Sequence, residues 1–248
     1  MTFFPSPHSG IRCLLQSVDS VEADGLLADE ERARLDSLRV PKRRQDWLLG
    51  RWTAKQLVRR YLAESGPPPA LDALLIRADE DGAPYAALVQ PAATNRLPIS
   101  LSISHSGPCS FCALSAARDA SVGADIEMIE PRPLSLAEQF FTREELAQVM
   151  AAPEGERDAL ITLIWSAKEA FLKCVREGLR VDTRKIQCSG IAEIEGGAGW
   201  RTLTLTASPG LLPERAQYQT WWQRGSGYVV TLGLLMAAGA PDSGSQAS

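Results

Sequence analysis

Histidine is nearly absent from this chain: His8 and His105 are the only two in 248 residues, so no histidine pair marks a zinc or copper centre. Cysteine is scarce and odd in number. Cys13, Cys109, Cys112, Cys174 and Cys188 lack the spacing of a disulfide framework, which fits a reducing cytosol better than secretion. Cys109 and Cys112 form a lone C-x-x-C, but on a strand an odd offset turns two thiols to opposite faces, so they read as core filler. Long apolar runs are missing too: Val229 to Ala240 is too short to span a bilayer, and Met1 to Pro7 lacks a basic region followed by an apolar stretch. A soluble, cytoplasmic protein with no membrane contact is expected. The net charge of -4 provides no general basic field, so nucleic acid is not an expected partner. There is no G-x-S-x-G elbow, no P-loop and no G-x-G-x-x-G, which leaves a hydrolase triad, an ordinary NTPase and a dinucleotide fold without support.

What the chain does contain is one phrase almost twice. Trp52-Thr53-Ala54-Lys55-Gln56 returns as Trp165-Ser166-Ala167-Lys168-Glu169, each inside a helix-like stretch. A length of 248 residues with 45% hydrophobic content suits one large domain or two of half the size, and the repeat favours two. The expected division is an α/β half over 1–119, a second over 120–238 after a polar hinge at Arg118-Asp119-Ala120, and a disordered tail at 239–248. Two fused halves already build a cleft, so a monomer is expected. The copies differ where it matters chemically, because Glu169 stands where the first copy has the neutral Gln56.

Periodicity predicts a strand at 11–18, a helix at 26–38 ended by Pro41, and a long helix at 42–63 closed by Gly66-Pro67-Pro68-Pro69. Asp81-Gly82-Ala83-Pro84 is a turn, and 91–98 reads as a loop. Next comes a hairpin: Ile99, Leu101, Ile103 and His105 alternate with Ser100, Ser102, Ser104 and Ser106, giving one apolar and one hydroxyl-rich face before Gly107-Pro108 turns the chain. The second half predicts a strand at 122–129, helices at 134–151 and 156–177, and strands near 186–195, 200–207, 216–223 and 227–237. Residues 32–60 carry ten lysines and arginines against Asp36 and Asp46. That run is either a solvated helix face or a seat for a multiply phosphorylated ligand.

The carboxylates are the strongest chemical signal. Strand alternation puts Asp125 and Glu127 on one face, roughly 6 to 7 Å apart, while Ala124, Ile126 and Met128 face the other way. Two neighbouring anions need a cation or full solvation, since otherwise one takes up a proton. Oxygen ligands select a hard ion, and Mg²⁺ fits, with Mn²⁺ able to substitute. In the helix after Pro153, Leu160, Leu163, Ile164, Ala167, Phe171, Cys174 and Val175 follow one buried stripe, with Glu169 and Lys173 opposite. Those two are either a surface ion pair or, because Trp165 shares their side, part of a cleft wall.

Taken together, Ser102-Ile103-Ser104-His105-Ser106, Gly123-Ala124-Asp125-Ile126-Glu127, Phe140-Phe141-Thr142 with Glu144 and Glu145, and Trp165-Ser166-Ala167-Lys168-Glu169-Ala170-Phe171-Leu172-Lys173 resemble the 4′-phosphopantetheinyl transferases of the surfactin-synthetase-activating type. The resemblance spans about residues 30 to 235. It implies two pseudo-symmetric α/β halves with coenzyme A in the cleft between them, and transfer of the phosphopantetheine arm to a serine of an apo acyl or peptidyl carrier protein, leaving adenosine 3′,5′-bisphosphate. By matching position, Asp125, Glu127 and Glu169 are implied as Mg²⁺ ligands, Glu169 and Lys173 as catalytic, and Arg34, Arg51, Pro84, Ser104, His105 and Lys173 as contacts to the cofactor. Either Glu169 or a metal-bound water that it orients is the implied proton acceptor. Where many relatives read Gly-Lys-Pro this chain has Gly82-Ala83-Pro84, and Arg77 is a neighbour that can stand in. The competing expectation is a noncatalytic coenzyme A or nucleotide binding module of the same fold.

Overall fold

Alternating side chains build the first half from its middle outward. Leu14, Cys112 and Leu114 point to one apolar layer with Ala54, Leu57 and Val58, while Ile11, Cys13, Phe111 and Ala113 point to another with Val122, Ala124 and Ile126. The computed structural model that carries these positions describes residues 4–17, 21–90, 93–191 and 199–237. The tail expected at 239–248 lies outside them. In chain order the elements are β1 (Ile11–Ser17), α1 (Asp29–Ser37), α2 (Pro41–Ala63), β2 (Leu74–Ala78), β3 (Pro84–Gln90), β4 (Ala93–Arg96), β5 (Ser100–Ser106) and β6 (Cys109–Ser115). Then follow β7 (Ala120–Met128), α3 (Leu134–Phe140), α4 (Arg143–Ala151), α5 (Glu154–Val175), β8 (Ile186–Ser189), β9 (Arg201–Ala207), β10 (Gln217–Arg224) and β11 (Tyr228–Met236). The fold is mixed α/β. Three antiparallel sheets have the orders β1-β6-β5, β2-β3-β4 and β7-β11-β10-β9-β8. Cys109 and Cys112 fall in different apolar layers, and all five thiols are free and buried. Among the described residues no helix is long and apolar enough to cross a membrane.

The structure corrects several expected boundaries. The helix expected from Leu26 starts at Asp29, because Leu26 and Leu27 turn inward as core residues ahead of it. Pro41 does not end that helix; it opens α2, where its missing N–H costs nothing. The loop expected over 91–98 contains the short strand β4. The single helix expected over 134–151 is two, broken where buried Phe141 enters the core and Thr142 caps α4 by accepting from the Glu145 N–H at 3.2 Å. The strand expected over 186–195 ends at Ser189, and its part beyond residue 191 lies outside the described residues.

The repeated phrase has a repeated job. Lys55 on α2 is fully buried, ion-paired with Glu31, and donates to the carbonyls of Leu26 and Leu71 at 2.7 and 3.0 Å. Lys168 on α5 is fully buried, 2.6 Å from Glu145, and donates to the carbonyls of Phe140 and Thr183 at 3.2 and 3.0 Å. Each glutamate also accepts two backbone N–H groups, one at its own helix start and one in a strand: Ala28 and Ile76 for Glu31, Thr142 and Cys188 for Glu145. Each lysine thus ties its long helix to the short helix before it and the strand after it. A buried ammonium requires such complete pairing, since desolvation alone would expel it.

Candidate active site

Helix α5 lies against β7 with almost no spacing. A Cβ on Gly123 would overlap the carbonyl oxygen of Ala170, so only glycine lets the two backbones approach this closely. The same face of β7 presents Ser121, whose hydroxyl donates to the Cys174 carbonyl at 2.7 Å, and Asp125, which meets Lys173 Nζ at 2.7 Å. Lys173 also donates to the Ala124 carbonyl at 2.9 Å. Of the two readings of that side of α5, the solvated one is not what is found: Ser166, Lys168, Ala170 and Leu172 are buried along with the predicted stripe, and Trp165 packs edge-on against Phe140. Lys173 lines a cleft, and Glu169, one turn before it, is half-buried.

The hydroxyl-rich face of β5 joins that strand to β7. β5 and β7 run side by side in the same direction, and the hydroxyls of Ser100, Ser102 and Ser106 accept the backbone N–H groups of Val122, Ala124 and Met128 at 3.0, 2.9 and 3.2 Å. Ser104 breaks the series. Its hydroxyl donates instead to Asp125 Oδ1 at 2.8 Å.

Asp125 Oδ1 therefore holds both Ser104 and Lys173, while Oδ2 is buried without a hydrogen-bond partner. Glu127 is paired with Arg132 at 2.9 Å and reached by Ser106 at 3.5 Å. Burial, and then the Asp125 charge, raises the proton affinity of both Glu127 and Glu169 above the ordinary carboxylate value. These acids feel one another, yet among the described residues no three histidine, cysteine, aspartate or glutamate side chains form a ready-made metal cage. Lys173 and Arg132 each hold one of the carboxylates. An orphaned buried Oδ2 beside two carboxyls of raised proton affinity is a donor set short of positive charge, which fits a hard cation.

A Cβ added to Gly50 of α2 would meet the Ile103 side chain at 3.3 Å and the His105 ring at 4.0 Å, so the helix packs close over the end of β5. His105 keeps an exposed edge, and desolvation holds its imidazole below the ordinary value, with Lys173 and Lys42 adding repulsion. Arg51 stacks on Trp47 with its guanidinium carbon 4.7 Å from the ring centroid, and its Nε is buried without a partner. Burial lowers its proton affinity, and nearby Arg34, itself exposed, adds repulsion. A cleft of about 650 Å³ runs from Lys173 past Ser100 and Ser102 to the turn at Gly82, Ala83 and Pro84.

Arg77 is paired with Glu30 through its Nε and Nη2, and it does not line the cleft near Ala83. The cations in the cleft near Ala83 are Arg96, Arg118 and Arg176. Arg176, left-handed at φ 61°, reaches from the end of α5 to Asp79 and Asp81 of the β2–β3 turn. Sequence reading missed Arg176 and Arg132. Arg132 sits between Pro131 and Pro133 five residues past Glu127, and that confinement was the available signal.

Residues 121–232 match the family model described as the 4′-phosphopantetheinyl transferase superfamily. It is over this segment that the chain resembles that superfamily. It contains Asp125, Glu127, Glu169 and Lys173, whereas Arg34, Arg51, Pro84, Ser104 and His105 lie before it. Among named relatives, the 4′-phosphopantetheinyl transferase psf-1 of Bacillus pumilus is 39% identical over 77 residues, 31% of this chain and 32% of that protein. A putative 4′-phosphopantetheinyl transferase of Synechocystis is 29% identical over 62% of this chain and 58% of its own length. The 4′-phosphopantetheinyl transferase HetI of Nostoc is 23% identical over 79% and 81%. The chain thus spans about a third and about three-fifths of the first two relatives it matches. A solved holo-[acyl-carrier-protein] synthase of Thermotoga maritima aligns over 47% of this chain and 63% of that chain, at 19% identity and a TM-score of 0.36.

Proposed function

We propose that the protein transfers the 4′-phosphopantetheine group of coenzyme A to a serine of an apo acyl or peptidyl carrier protein, releasing adenosine 3′,5′-bisphosphate, as a cytoplasmic monomer. The observation that carries the proposal is the buried, unpartnered Oδ2 of Asp125, beside a lysine and two carboxyls of raised proton affinity at one end of a polar cleft. Phosphoryl transfer asks the protein mainly for positioning and charge. Asp125, Glu127 and Glu169 would hold Mg²⁺ or Mn²⁺, which supplies charge neutralisation at the diphosphate. Lys173 neutralises a phosphate oxygen from the other side. Arg51 and the exposed Arg34 supply positive charge suited to the nucleotide's 3′-phosphate, His105 can add a ring N–H, and Pro84 borders the cleft. In the step itself the serine Oγ–P bond forms as the bond from phosphorus to the adenosine bisphosphate oxygen breaks. Glu169, or a water that it orients, takes the serine proton.

The test is mass spectrometry of apo carriers from fatty-acid, polyketide and nonribosomal peptide systems, incubated with the protein, coenzyme A and Mg²⁺. A carrier should gain one phosphopantetheinyl group with an equal yield of adenosine 3′,5′-bisphosphate. No gain on any carrier would sink the proposal.

A further inference from the structure

Four serines on one face of β5 meet β7, and three of them do the same thing. Ser100, Ser102 and Ser106 each accept the backbone N–H of the residue 22 positions later. In that series Ser104 is due opposite Ile126 N, and its hydroxyl turns to Asp125 Oδ1 instead. The exchange has a chemical result. A carboxylate with both oxygens free can rotate, or share its charge between a lysine and a metal. Here Oδ1 is occupied twice, by Ser104 at 2.8 Å and Lys173 at 2.7 Å, on a side chain only 4% exposed. All remaining unsatisfied acceptor capacity sits on Oδ2, which is buried and has no partner. Ser104 is itself held, because its own carbonyl accepts from the Ser110 hydroxyl at 3.0 Å and its residue is buried.

We infer that Ser104 is a positioning residue, supplied by the first half of the chain, that fixes the Asp125 carboxylate so that Oδ2 alone is presented to a divalent cation. The inference rests on the metal-dependent reading above. An outer group that orients a ligating carboxylate typically contributes about 10- to 100-fold in metal affinity. The cation site would then be completed only when the two halves are docked along β5 and β7.

The experiment titrates Mn²⁺ into the full-length protein without coenzyme A, reading free Mn²⁺ by electron paramagnetic resonance, with the urea midpoint of each variant measured alongside. Ser104→Ala should bind Mn²⁺ about 10- to 100-fold more weakly. Ser104→Cys, close in size but a weak donor, should also weaken binding, which protects the test if the alanine variant folds poorly. Ser104→Thr, which keeps the hydroxyl, should stay near the parent. Ser102→Ala, on the same face and also buried, should lower the urea midpoint and leave Mn²⁺ affinity unchanged. Parent-like Mn²⁺ binding by both Ser104→Ala and Ser104→Cys, or an equal loss in Ser102→Ala, overturns the positioning role while leaving the metal reading intact. A parent protein that binds no Mn²⁺ overturns both.

Discussion

Lys168 Nζ lies 2.6 Å from Glu145 Oε2 with neither side chain exposed to water. Lys55 and Glu31 repeat that relationship one half earlier, at 0% and 4% exposure. Removing one partner leaves the other as a bare buried charge. Lys168→Met should therefore cost about 3 to 5 kcal/mol of stability, and Lys55→Met a similar amount, read from urea unfolding. Adding Glu145→Leu to Lys168→Met should restore part of the loss. A single variant as stable as the parent would show that the pair does not hold the helix in place.

Gly123→Ala tests the close approach of β7 and α5. The added methyl group overlaps the Ala170 carbonyl and must push the helix outward, costing about 1 to 3 kcal/mol. Because α5 carries Glu169 and Lys173, transfer activity should fall further than stability does. Parent-like activity in a destabilised variant would mean that the strand-to-helix distance is not critical to the chemistry.

Lys173→Ala removes the only cation bound to Asp125 in the hydrogen bonds described. Transfer should slow by roughly 10² to 10³ fold with the fold retained, a loss typical of a group that stabilises developing charge. Steady-state rates at saturating coenzyme A and carrier decide this. A change confined to the KM of the carrier would remove the assignment.

The acids also set a pH dependence. Glu127 and Glu169 have proton affinities raised by burial and by Asp125, so the folded state holds protons that the unfolded state has released. Without added metal their contribution to stability is most favourable below the ordinary glutamate pKa and is lost as pH rises through the raised folded value. Glu169→Gln lacks its share of this term. Its urea midpoint should gain on the parent's as pH increases from the acid side toward neutrality, and a constant difference would contradict the shift. Asp79 and Asp81, held low by their arginine partners and by the Ala83 N–H, act in the opposite sense and cancel in the comparison.

Arg176→Gly relieves the left-handed backbone but releases Asp79 and Asp81. Overall stability should change by less than about 1 kcal/mol, since these pairs are partly exposed. Amide exchange at Gly82 and Ala83 should accelerate, because their turn bonds to Asp79 and Asp81 lose an anchor, and the KM for coenzyme A should rise. Unchanged exchange would show that the turn holds itself.

Much of this was legible in the residues, for reasons that differ by element. Strand alternation placed Asp125 and Glu127 together because the side-chain period of a strand is two, even though both faces of β7 are buried through its middle. The Trp-x-Ala-Lys repeat pointed to two related units, but the lysines at its centre gave no hint of burial, since a lysine in a helix ordinarily lies outside. Their glutamate partners are distant in sequence, 24 positions for Glu31 and Lys55, and only tertiary packing joins them. The break before α4 could have been read from Thr142 and Glu145, a capping box that helical periodicity alone concealed. The serines of β5 stood out as a hydroxyl-rich face. What they bond to depends on a neighbour 22 residues away, which pattern reading does not supply.

That row of serines also bears on what happens if the chain is divided. β7 closes one side of its five-stranded sheet and β5 one side of its three-stranded sheet, so each ends where the other begins. Separated near residue 119, the C-terminal piece would turn a nine-residue strand with unquenched amides toward water. An open margin of that kind invites a second copy to pair along it, so aggregation of the severed fragment, not mere loss of turnover, is the expected fate.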